Sequence, residues 1–168
     1  MRLVIFGAGG YGRTVADIAR QSGKYNEIVF LDDNSPVALG KCADYPEFIS
    51  EYTEFYPAFG NNEGRVRFID EIEEKGGRIA TIIHSSAYVS PEAKIGKGVS
   101  VLPMAVVNTG TVLEKGVLVN IKAVIDHDCV IEEGCHICVG AIVKAENRIP
   151  AKTKIEAGEV IENRKYPL

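Results

Sequence analysis

One period governs half of this 168-residue chain. Every sixth residue from Val89 is aliphatic: Val89, Ile95, Val101, Val107, Leu113, Val119, Ile125, Ile131, Ile137, Val143, Ile149, Ile155 and Ile161. Val, Ile and Leu together fill about a quarter of the sequence, so thirteen successive matches arise by chance on the order of once in ten million. Two residues earlier the chain carries small or β-branched side chains: Ala87, Ala93, Val99, Ala105, Thr111, Val117, Ala123, Cys129, Cys135 and Ala141. That second position loosens only at Asn147, Thr153 and Glu159. A strict period of six, with one aliphatic and one small inward residue, describes a triangular solenoid. Each side is one hexapeptide, about 18 residues make a coil, and backbone ladders join the coils. Such solenoids are left-handed parallel β-helices, against the usual crossover rule. The repeats predict a little over four coils within residues 85–168.

Residues 1–84 are of another kind. Arg2–Phe6 reads as a strand, followed by Gly7-Ala8-Gly9-Gly10-Tyr11-Gly12 and by helical spacing of Val15, Ile18 and Ala19 through Tyr11–Ser22. Ile28–Leu31 is a second strand ending at Asp32-Asp33, and Ala58-Phe59-Gly60 reads as the end of another. Glu63–Lys75 is a helix with Val66, Ile69 and Ile72 on one face, and Arg78–Ile83 is a further strand. This alternation predicts a Rossmann-like α/β domain with a parallel sheet. Gly7-x-Gly9-x-x-Gly12 follows a strand and opens a helix, the context that a phosphate-binding turn requires. Glycines let the backbone approach a phosphate, and the helix N-terminus offers N–H groups and partial positive charge. Asp32, 20 residues past Gly12, is placed to meet a ribose hydroxyl. About 80 residues hold half of a dinucleotide fold, which suits a mononucleotide or nucleotide sugar better than NAD.

The net charge of −4 and the absence of a Lys/Arg-rich run argue against nucleic acid as a partner. No apolar run is long enough for a membrane span. The N-terminus does not read as a signal peptide, so the expected location is the cytoplasm. The four cysteines, Cys42, Cys129, Cys135 and Cys138, are expected as free thiols. Cys129 and Cys135 fall on the small inward position, where Cys acts as a small hydrophobe. Cys135-His136-Ile137-Cys138 is a C-x-x-C, yet the register points its two thiols in different directions and no second ligand pair is present. No metal site is expected.

Several segments together resemble the sugar acyltransferases of the sialic-acid O-acetyltransferase type, which include enzymes that N-acetylate UDP-4-amino-sugars. They are the glycine turn, Phe30-Leu31-Asp32-Asp33-Asn34, Phe59-Gly60-Asn61-Asn62, Ile83-His84, Asn120 followed by Ile125-Asp126-His127-Asp128, Gly134-Cys135-His136-Ile137 and Gly140-Ala141. The resemblance covers about residues 1 to 145. It implies acetyl-CoA as donor and a nucleotide-linked amino sugar as acceptor. It implies His127 as general base, with Asp128 orienting its ring and Asp126 as a rival for that task. It places Asn120 beside the sugar's reactive group, and His136 and Gly140 on the donor side. The nucleotide would rest on Gly7, Gly9, Gly10 and Gly12, with Asp32 and Asp33 nearby. A homotrimer is implied, because the family's active sites lie between neighbouring solenoids. Three departures stand out. Tyr11 replaces a common His, Ser85 replaces a common Pro, and relatives run several coils further past the second histidine. The last predicts a reduced donor surface. It keeps open a non-catalytic nucleotide-sugar-binding trimer, alongside sugar O-acetylation.

Overall fold

A computed structural model describes residues 1–168, and the chain divides into two compact units, Met1–Ala80 and Thr81–Leu168. The first unit is built on a parallel sheet of β1 (Arg2–Phe6), β2 (Glu27–Leu31), β3 (Thr53–Pro57) and β4 (Arg78–Ile79), in the order β2-β1-β3-β4. Leu3 to Phe6 are completely buried, because the central strand of a covered parallel sheet is apolar on both faces. Helix α1 (Gly10–Ser22) lays Val15, Ala16, Ile18 and Ala19 inward and ends on Gly23 in the left-handed conformation that suits a C-cap. Helix α2 (Asn62–Glu74) begins on Asn61, whose side chain accepts from the Gly64 N–H. Val66, Ile69 and Ile72 form its inner stripe. The chain leaves β1 toward β2 and returns to β3 on the other side of β1. Those two carboxyl ends form a topological switch point, where open α/β sheets take ligands.

The second unit is the left-handed β-helix. It contains fourteen two-residue parallel strands in three sheets of four, five and five strands. Each strand pairs with the one 18 residues further on, as Leu113 pairs with Ile131. The aliphatic positions from Val101 to Ile161 are almost fully buried, and the small positions from Val99 to Ala141 stack beside them. Each buried Ile or Val contributes about 1.5–3 kcal/mol. Asn147, at a small inward position, is buried too. Its amide donates to the carbonyls of Lys144 and Glu162, and its oxygen accepts from the Tyr166 N–H. The loosened sequence pattern there is a satisfied polar plug.

The run Arg78–Ile83 is not one strand. Arg78–Ile79 pairs with Glu54–Phe55 in the first sheet, and Ile82–Ile83 pairs with Ser100–Val101 in the solenoid. The division therefore falls between Ala80 and Thr81 rather than after His84. Ile83 lies one period before Val89, and the N–H groups of Ile82 and His84 already bond the next coil.

A third period of six governs the turns. Residues at every sixth position from Gly98 to Arg164 have positive φ, and six of those twelve are not glycine: Met104, Lys122, Asp128, Glu146, Lys152 and Arg164. Left-handed backbone costs an L-residue about 1–2 kcal/mol, a cost that each coil's backbone ladder offsets.

Candidate active site

In the first unit the glycine turn wraps the end of β1. Gly7 has φ +91°, and its N–H donates to the Leu31 carbonyl. A Cβ on Gly12 would stand 1.8 Å from the Gly7 oxygen, so Gly12 serves close helix–strand packing. A Cβ on Gly9 or Gly10 would meet nothing within 4 Å, which leaves the start of α1 approachable. No side chain caps that helix N-terminus. Asp32 accepts from the Ala8 N–H at 2.8 Å and from the Asn34 N–H at 2.9 Å. Those bonds, Ala8's first, hold its carboxyl below the usual range. Asp32 thus ties the glycine turn to the loop after β2.

A cavity of about 940 Å³ opens at this switch point. Gly7, Gly9 and Asp33 line it, together with Ala58, Phe59, Gly60 and Asn61 at the end of β3. One face of α2 completes the wall through Gly64, Arg67, Phe68, Glu71 and Lys75, and Tyr45 and Cys42 close it opposite. Its size and mixed lining suit a small organic ligand. Gly10, Gly12 and Asp32 are not among the lining residues. Burial, then the Asp33 charge, pushes the Cys42 thiol up to about 11, so it stays neutral in the wall. Arg65, fully buried, donates to the Phe59 carbonyl and to Asn62 Oδ1 and fixes the loop that shapes the cavity. The sequence reading missed the α2 face. Its signal was Arg67, Glu71 and Lys75 at helical spacing beside a helix start.

In the solenoid, two edges carry the remaining candidates. Asn120 opens the turn after Leu118–Val119, and its Nδ2 lies 3.1 Å from His136 Nε2 on the paired strand. The amide donates, which makes Nε2 the accepting nitrogen. His127 occupies the next edge, after Val124–Ile125. Its Nδ1 lies 2.8 Å from Asp128 Oδ2, while Asp126 Oδ1 accepts from the His127 backbone N–H at 2.7 Å. The two aspartates thus divide the tasks: Asp128 holds the ring and Asp126 holds the turn. The Asp128 bond, then the charges of Asp126, Asp128 and Glu146, keeps His127 protonated to higher pH than an ordinary histidine. The ring is 46% exposed, so the group is open to a substrate. Asp128 is left-handed at φ +55°, and a Cβ on Gly110 would come 2.3 Å from its Oδ1. Gly140 has φ +66° and open space around it. One solenoid therefore brings Asn120 to His136 and Asp128 to His127, but sets these pairs on different edges. No group of three His, Cys, Asp or Glu side chains stands close enough to hold a metal ion. Cys129 and Cys135 are buried, their thiols directed at backbone carbonyls.

Residues 2–72 match the PglD N-terminal domain. The whole fold superposes on the acetyltransferase domain of PglB from Neisseria gonorrhoeae FA1090 with a TM-score of 0.93. The two are 36% identical over 97% of this chain and 83% of the other. The chain belongs to the hexapeptide-repeat sugar acyltransferases. A second structure of the same family member is a complex with acetyl coenzyme A (TM-score 0.92, 36% identity, 97% and 82% covered). The GDP-perosamine N-acetyltransferase of Escherichia coli O157:H7 is 30% identical over 123 residues, 64% of this chain and 53% of that protein. This chain thus spans about half the length of that relative. PerB from Caulobacter crescentus, solved with CoA and GDP-perosamine, shares the fold at 23% identity and TM-score 0.78, over 97% of this chain and 89% of PerB. No helix is long and apolar enough to cross a membrane.

Proposed function

We propose that this protein transfers the acetyl group of acetyl-CoA to the amino group of a nucleotide-linked amino sugar, with His127 as general base. The observation that carries the reading is the His127–Asp128 pair on an open solenoid edge. With Asp128 on Nδ1, Nε2 is the nitrogen presented to a substrate. The family relative seen with acetyl coenzyme A and the relative named for GDP-perosamine support the two substrates. In the reaction the sugar nitrogen attacks the thioester carbonyl carbon and the C–S bond breaks. The nitrogen's proton passes to His127, and the departing CoA sulfur takes up a proton. Asn120 would hold the sugar beside its amine, with His136 and Gly140 on the donor side. The nucleotide would lie in the cavity at the sheet's switch point, its phosphates on Gly7, Gly9 and Gly10 at the start of α1, while Gly12 lets the helix pack close enough to shape that turn. Asp33 would line the base or ribose, and Asp32 would keep that turn in shape. A UDP-linked 4-amino sugar is the acceptor that the sequence resemblance favours.

The working unit in this reading is a homotrimer. Asn120 and His127 border the two sides of one sheet, whose outward residues are Tyr88, Val106, Val124, Ile142 and Val160. Tyr88, Ile142 and Val160 are exposed, and the Asn120 edge adds exposed Met104, Ile121 and Val139. Another edge instead carries the ion pairs Lys115–Glu133 and Lys152–Glu133. An apolar sheet turned toward a three-fold axis sets the Asn120 edge of one copy against the His127 edge of the next. That heterologous contact closes after three copies.

The test is a transfer assay with acetyl-CoA and either a UDP-4-amino sugar or GDP-perosamine, alongside calorimetric titration of each substrate. His127→Ala should lower kcat by about 10²–10⁴-fold while acetyl-CoA still binds. Undiminished turnover in that variant would refute the mechanism. Nucleotide-sugar binding with neither acetyl-CoA binding nor transfer would favour the non-catalytic trimer.

A further inference from the structure

The following rests on His127 as the base. Three solenoid turns place Asn or Asp at the same register position: Asn108, Asn120 and Asp126. In each, the side-chain oxygen accepts the next residue's N–H, from Thr109 at 2.8 Å, Ile121 at 2.8 Å and His127 at 2.7 Å. An amide oxygen does this as well as a carboxylate does, so the turn calls for no charge at position 126. The one charged member of the three stands next to the histidine. Its carboxylate is also held by the preceding coil, where Asn108 Nδ2 donates to Oδ1 at 3.1 Å, and its backbone is held by the buried Thr111 hydroxyl, which donates to the Asp126 carbonyl at 2.8 Å.

We propose that Asp126 is a positioning residue whose charge, dispensable for the turn, is a fixed second anion that favours proton uptake by the His127 ring. Asp128 bonds the ring directly but is itself 57% exposed. Asp126 is half-buried and held from two sides, so its field persists when Asp128 moves. The other charges facing His127 are largely matched. In the next coil Glu146 pairs with Arg164, and Lys144 pairs with Glu162. The preceding coil presents Asn108, Thr109 and Gly110, which carry none. A base with a higher proton affinity gives a faster transfer step, at the cost of staying protonated, and so idle as a base, up to higher pH.

Asp126→Asn in the full chain separates charge from turn. The thermal midpoint should stay at the wild-type value, whereas Asp126→Ala should lower it. The His127 ring resonance, identified by its loss in His127→Gln, should titrate at lower pH in Asp126→Asn. The acid limb of kcat/KM should follow, with a several-fold lower plateau and unchanged KM for the nucleotide sugar. An unmoved His127 titration, or a lowered thermal midpoint in Asp126→Asn, would overturn the assignment. The ring titration needs no turnover. A wild-type protein inactive in transfer whose ring still shifts would therefore count against the base reading and not against the coupling.

Discussion

At the scale of single residues, two aspartates show how a carboxylate's partners set its task. Asp128 bonds the ring of the neighbouring His127. Asp128→Asn removes the main cause of that histidine's raised proton affinity, so the acid limb of the kcat/KM profile should move to lower pH and the plateau should fall. An unmoved limb in a pH–rate series would show that the pair is not coupled during catalysis. Asp32 instead serves the backbone. Asp32→Ala leaves the Ala8 and Asn34 N–H groups without their acceptor and should cost about 1–3 kcal/mol at neutral pH, read by denaturant unfolding. Its folded pKa lies below the unfolded one. The wild type's advantage over Asp32→Ala is therefore fully present above the unfolded pKa and is lost as pH falls through the folded value.

At the scale of elements, the solenoid turn is the unit to compare. Gly110 and Gly140 share the left-handed conformation, with φ +69° and +66°. Backbone strain alone predicts a similar cost of about 1–2 kcal/mol for either alanine substitution, because Lys122 and Glu146 already tolerate it. Their surroundings differ. A Cβ at 110 collides with Asp128 Oδ1, and a Cβ at 140 meets nothing. Gly110→Ala should therefore lower kcat beyond its effect on the melting temperature, while Gly140→Ala should leave kcat near the wild-type value. A rise in KM for acetyl-CoA confined to Gly140→Ala would support its place on the donor side. In the first unit the corresponding contact is Gly12 against the Gly7 carbonyl. Alanine there should cost about 3 kcal/mol or prevent folding, whether or not a ligand binds.

At the scale of the whole molecule, the proposed site needs more than one chain. Co-expressing His127→Ala with Asn120→Ala should recover activity that neither variant has alone. Random trimers hold about a quarter of sites with both residues intact. Ile142→Asp, a charge on the apolar sheet, should yield monomers by light scattering and abolish transfer. Recovery absent from co-expressed trimers would place both residues in one subunit's site instead.

The six-residue period was enough by itself to specify a triangular solenoid, because a pattern that buries one aliphatic and one small residue per hexapeptide has one regular way to close. The glycine turn after Arg2–Phe6 likewise marked an α/β domain, since the left-handed Gly7 and the close approach of Gly12 to its carbonyl exclude a Cβ there. Strand division was not legible. Ile79 and Ile82 look alike in sequence, and only backbone pairing assigned them to different sheets. The wall that α2 gives the cavity was legible only as a polar face, because Arg67, Glu71 and Lys75 share helical spacing but do not say which loop they meet. The positive-φ period hid because half its members are not glycine. The separate duties of Asp126 and Asp128 emerged only from distances, since two carboxylates flanking a histidine are equivalent in a string of letters. Coil stacking makes them unequal: the preceding coil supplies Asn108 to hold one, and leaves the other to the ring.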